Sequence, residues 1–189
     1  MTAALIAAPA SEPVSVAQMK AHLRLSGSAE DDFLQDMITA AREHVERETR
    51  RSLISQTWRL YLDRWPMGRV VPLPTGPVQE VSQVLLYDRV GAASDLAQAF
   101  WSLSKGSDPA RVKVLPGAGL SITELSAIEI DFIAGYGDAA DTVPATLRQA
   151  VRLLAAHWFE NREAGTELSM ASLPFGLDRL LSVNRIPQL

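Results

Sequence analysis

The sequence predicts an α+β protein: a helical bundle of two N-terminal helices plus one C-terminal helix, with an inserted small β region and a C-terminal tail. Three observations carry this. Apolar residues recur at helical spacing through 33–45 and again through 147–158. They alternate with polar residues through 57–63 and 128–132. Pro and Gly punctuate the stretch between, cutting it into short segments. The expected divisions are 1–53 for the N-terminal helical part, 54–137 for the β-rich insertion, 138–165 for the last bundle helix and 166–189 for the tail.

Taken in order, Ser15 follows Pro13 and is placed to cap a short helix from Val16 to about Arg24. Ser26-Gly27-Ser28 breaks it. Ser28 is the expected cap of a second helix running to about Arg51, with Glu30, Asp31 and Asp32 in a first turn whose dipole favours acids. Its apolar stripe is Phe33/Leu34, Met37/Ile38, Ala41 and Val45, and Arg47, Arg50 and Arg51 occupy the end that favours cations. From Ile54 the period falls to two. Trp58, Leu60 and Leu62 share one face of a strand, and Arg59, Tyr61 and Asp63 the other. Further short strands are expected at Val70–Leu73, Val81–Tyr87, Phe100–Leu103, Arg111–Leu115 and Ala127–Ala134, a small sheet or sandwich. Pro144 suits a first helical position, and the helix it opens carries Leu147, Val151, Leu154 and Trp158 before Gly165 ends it.

With 189 residues, 47% of them hydrophobic, the chain can bury a core without disulfides or structural metal. The absence of cysteine excludes thiol nucleophiles and cysteine-ligated zinc. The net charge of −4 lacks the footprint of a protein that grips phosphate backbones, although DNA passing unheld is compatible with it. Met1–Pro9 is apolar but has no basic region before it, so a signal peptide is not expected. No run reaches the roughly 18 apolar residues of a membrane span. A soluble protein made in a cytoplasm is the expectation.

Chemistry finds no foothold. His22, His44 and His157 lie outside metal-ligand spacing of one another. His157 and Glu160 are one helical turn apart, but a bundle metal centre needs a second such pair, so His157 reads as a packing residue. No nucleophile elbow, phosphate loop or dinucleotide fingerprint occurs. Trp58, Trp65, Trp101 and Trp158 lack the basic interleaving of a base-stacking platform and read as core and interface residues. No catalytic, cofactor-binding or metal residue is expected. The tail is different: Phe175, Leu177, Leu180, Leu181 and Ile186 line a Pro-bounded segment too short to make its own core. It either folds back on its own bundle or docks on a neighbour.

Several ordered pieces then resemble a known family. Glu12-Pro13-Val14-Ser15 leads to Lys20-Ala21-His22-Leu23-Arg24-Leu25 and to Glu30-Asp31-Asp32. Ser52-Leu53-Ile54-Ser55-Gln56-Thr57-Trp58 runs into Leu62-Asp63-Arg64-Trp65-Pro66. Later come Phe132-Ile133-Ala134-Gly135-Tyr136-Gly137, Val143-Pro144, His157-Trp158-Phe159-Glu160-Asn161-Arg162-Glu163 and Leu173-Pro174-Phe175-Gly176. Together they resemble phage head–tail connector proteins: HK97-like connectors, phiE125-type head–tail proteins and gene transfer agent adaptors. The resemblance implies a non-enzymatic virion subunit in the particle neck, made in the host cytoplasm during assembly. It further implies a homo-oligomeric ring, expected to be a dodecamer, between the portal protein and a tail-side stopper or tail terminator protein. Genomic DNA would pass through the ring without specific binding, and no membrane is involved. The tail residues Phe175, Leu177, Leu180, Leu181 and Ile186 become portal-docking candidates on this view. The rival readings are a tail-side stopper or tail terminator, a DNA-binding packaging accessory and, from another class, a small metal-dependent hydrolase.

Overall fold

The computed structural model describes residues 1–118, 127–161 and 176–187. The architecture is α+β, and the chain divides into two compact units that each draw on separated stretches of sequence. A β unit comprises Met1–Pro9, Ser55–Tyr136 and Ile186–Leu189, and a helical unit comprises Ala10–Ile54 and Gly137–Arg185.

The helical unit holds α1 (Val16–Leu23), α2 (Asp31–Thr49), α3 (Ala145–Glu160) and α4 (Leu177–Asn184). Ser15 caps α1 in a reciprocal box: its Oγ accepts from the Gln18 amide, and its own amide donates to the Gln18 side chain. Arg24 ends the helix in the left-handed region. α2 starts later than Ser28 would dictate. Ser28 supplies its carbonyl to the Asp31 amide rather than its hydroxyl, and Glu30 stands at the cap position, its side chain making no capping bond to the helix amides. Asp31 is instead engaged by Lys20 of α1 at 2.7 Å. The stripe Leu34, Ile38, Ala41 and Val45 is buried and faces Leu147, Val151 and Leu154 of α3, the largest helix contact in the unit. Two aromatic contacts extend it, Phe33 with Phe159 and His44 edge-on to Trp158, each with centroids 5.9 Å apart. Pro144 precedes the first residue of α3 and stands at its cap, with no side-chain acceptor for the first helical amides. The expected stop at Gly165 lies outside the described residues.

Among the described residues the β unit contains eight strands: β1 (Thr2–Ala7), β2 (Gln56–Leu62), β3 (Val70–Pro72), β4 (Val78–Tyr87), β5 (Ala93–Asp95), β6 (Trp101–Ser104), β7 (Arg111–Val114) and β8 (Ile128–Ala134). They form an antiparallel sheet ordered β1-β2-β8-β4-β5 and a second ordered β3-β7-β6. Alternation decides which side chains go inward. Leu60, Leu62, Ile128, Ile130, Phe132, Val84 and Leu86 from the larger sheet share one apolar cluster with Val71, Val112 and Val114 from the smaller.

Two strands escape the sequence pattern. The division that gave residues 1–53 wholly to the helical part is corrected by β1, which pairs with β2 from Thr2 opposite Tyr61 to Ala7 opposite Thr57. An Ala-rich run has no alternation to read; what makes it a strand is the free backbone edge of β2. β5 is three exposed residues held by Leu85–Tyr87 of β4.

Candidate assembly surfaces

In the helical unit, charge is used internally. Arg42 is 5% exposed. Its Nε donates to Glu12 at 2.9 Å and its Nη1 to Glu46 at 2.7 Å, while Thr39 donates to the other oxygen of Glu12. Glu46 also accepts the Leu53 amide at 2.7 Å. One guanidinium thereby fastens the approach to α1 and the exit from α2 to the middle of the bundle. Burial works against the Arg42 charge, but Glu46 and Glu12 outweigh it and raise its pKa.

The tail candidates separate on inspection. Leu177 and Leu181 are buried on the inner face of α4, which packs on α3 and α2. Leu180 is half-buried. Ile186 is buried in the β unit, its Cδ1 seated where a Cβ on Gly76 would come within 3.2 Å. Phe175 lies outside the described residues. The end of α4 is latched by Arg51, whose Nε donates to the Asn184 carbonyl, and by Arg185, which donates to the Glu48 carbonyl and carboxylate at 2.8 and 2.7 Å. What α4 leaves outward is Asp178, Arg179, Ser182 and Val183, the last 81% exposed. The anchors that sequence singled out are thus largely used by the chain itself. The same heptad-like spacing would serve either purpose, so only packing distinguishes them.

In the β unit, charges stay on the outer faces. On the larger sheet Arg59 sits opposite Asp131 and grips it with two bonds of 2.7 and 2.8 Å, and Glu129 lies 3.0 Å away. The hydrogen bonds to Asp131 raise the Arg59 pKa. Tyr87 of β4 is pushed up as well, by burial first and then by Glu129. The smaller sheet presents Arg111 and Lys113 from its central strand, flanked by Ser102 and Ser104. Apolar groups are exposed at Met67, on the tip of the turn after β2, at Val90, and along the edge strand at Leu5 and Ile6.

No group of three or more His, Asp or Glu is placed to hold a metal ion among the described residues. His157 Nδ1 lies 3.4 Å from the Asn161 amide nitrogen, and His44 packs on Trp158. No helix among the described residues is long and apolar enough to cross a membrane.

Residues 13–185 match the family described as Phage gp6-like head-tail connector protein. The chain is similar, at 33% identity and a TM-score of 0.84, to one from the neck of an empty gene transfer agent particle computed with C6 symmetry, with 100% of this chain and 97% of that chain covered. A chain in the virion of the native gene transfer agent particle and one in its neck, computed with C12 symmetry, are similar at the same identity and coverage, each with a TM-score of 0.82. No curated protein matches the chain. The protein is a structural component and not an enzyme. It belongs to the family of phage gp6-like head–tail connectors.

Proposed function

We propose that copies of this chain close into a ring in the neck of a tailed-phage-like particle, between the portal and the tail-side proteins, and extend the channel through which DNA leaves. The observation that carries this reading is the similarity, over all of this chain, to a chain from a gene transfer agent neck. A twelvefold neck favours a dodecamer. A ring needs a heterologous contact, one face of a subunit against a different face of the next, and a chain with helical and β surfaces has two unlike faces to offer. The subunit assembles in the host cytoplasm and ends in the virion neck.

The C-terminal segment is the proposed portal contact. Leu177, Leu181 and Ile186 fasten it to its own subunit, and the outer side of α4 around Val183 meets the portal. Co-expression of the portal protein from the same genome with the full chain, followed by affinity purification and native mass spectrometry, tests both points. The expected result is a stoichiometric portal complex with twelve copies, lost when residues 173–189 are deleted. Full-strength portal binding by the truncated chain would refute the docking assignment. Co-purification with a tail protein and not the portal would favour a stopper or terminator.

A further inference from the structure

The net charge of −4 hides a segregation that the topology creates. On the outer face of the smaller sheet, two rows of residues lie across the three strands: Val70, Lys113 and Ser102, then Pro72, Arg111 and Ser104. Arg69 precedes the first row and Lys105 follows the second. The face thus presents Arg111 and Lys113 with two hydroxyls, and Arg69 stands at its margin, while Lys105 falls by alternation with Trp101 and Leu103 in a groove that Glu80 also lines. Neither Arg69, Lys105, Arg111 nor Lys113 has a carboxylate partner among the described residues. Arg69 and Lys113 are tethered to carbonyls, Nη1 to Leu115 at 3.1 Å and Nζ to Gly68 at 2.8 Å, which holds their charge near the sheet.

We infer that this face binds the phosphate backbone of double-stranded DNA, weakly and without regard to sequence. Arg111 and Lys113 stand two residues apart on one strand, about 7 Å along it, and the serines sit about 5 Å to the side on β6. Cations backed by hydroxyl donors are the groups that contact phosphate oxygens. A protein partner would want an apolar centre ringed by polar groups. Here the arrangement is reversed, with Val70 and Pro72 at the margin and the cations central. Base reading is excluded by the same pleat. Trp101 and Leu103 point the other way, against the core, and Trp101 Nε1 is occupied by the Leu96 carbonyl at 3.1 Å. In the proposed ring, which this inference takes as its setting, many weak copies of the face would act together on one duplex.

The test is fluorescence anisotropy of a labelled mixed-sequence duplex with the purified full-length chain across a salt series. Binding is expected in low salt, with log K falling against log salt at a slope of about −3 for three to four phosphate contacts. Equal affinity is expected for AT-rich and GC-rich duplexes. Arg111→Glu with Lys113→Glu, which reverses the two cations of the central strand, should weaken binding about tenfold or more and flatten the slope by about two. Arg89→Glu, an exposed charge reversal outside the face, should change neither. Absence of binding in low salt, wild-type binding by the double variant, or equal binding of polyglutamate would overturn the assignment. The last outcome would give the face to an acidic protein surface. Because this is measured on the chain alone, failure of the portal experiment leaves it standing, and a double variant that still joins the portal but loses DNA separates the two claims.

Discussion

The helical unit and the β unit solve the same problem with opposite use of charge. Around α2 and α3, a guanidinium and two carboxylates are taken into the interior, where each is satisfied by the others. In the β unit the interior is an apolar cluster, and the Arg59 ion pairs with Glu129 and Asp131 sit on an outer sheet face. The difference teaches where specificity comes from in each. Helices can slide or rotate against a uniform apolar stripe, and a buried polar network fixes one arrangement of α2 relative to its flanking segments. Strands are already fixed in register by alternation, since a one-residue slip would turn Leu60 and Phe132 to solvent.

Three substitutions sharpen or break this comparison. Phe132→Ala empties the centre of the β cluster and should cost about 4 kcal/mol in chemical unfolding. Hydrogen exchange in β2, β4 and β8 should rise with it. Arg42→Ala leaves the half-buried Glu12 and Glu46 without their cation and should cost about 2 kcal/mol. The exchange increase is expected in α1 and α2, with β8 protected as before. Equal loss of protection in both units from either change would mean that the contrast in charge has no energetic counterpart. The smallest effect concerns Tyr87. Its folded pKa is raised above the ordinary phenol value of about 10, so its stabilising share is complete below that pH and is lost as pH rises beyond it. Ultraviolet titration should show a late-ionising component that is missing in Tyr87→Phe. An unchanged late component in Tyr87→Phe would remove the claim.

The parts legible in the sequence are those where a period meets burial. The stripes of α2 and α3 and the alternation of β2 and β8 required nothing from elsewhere in the chain. β1 was illegible because Ala-rich sequence carries no period and takes its conformation from the edge of β2. The start of α2 was misread at Ser28 because a serine before acids is a good cap only if its hydroxyl turns inward, and here its carbonyl serves instead. Leu177, Leu181 and Ile186 stand out in the sequence as apolar anchors, but whether such a set grips its own chain, as their burial here shows, is a matter of tertiary packing. The basic face was invisible for another reason. Arg69 is far in sequence from Arg111 and Lys113, and only the pairing of β3 with β7 brings them together.

The position of β8 has a consequence for biosynthesis. It lies between β2 and β4, yet it is the last of the described strands to leave the ribosome. Until residue 134 emerges, β2 and β4 have no common neighbour, and α2 still awaits the helix that covers its stripe. A nascent chain stalled before Ile128 therefore carries open strand edges and an uncovered helix, and it is the species most in need of a chaperone.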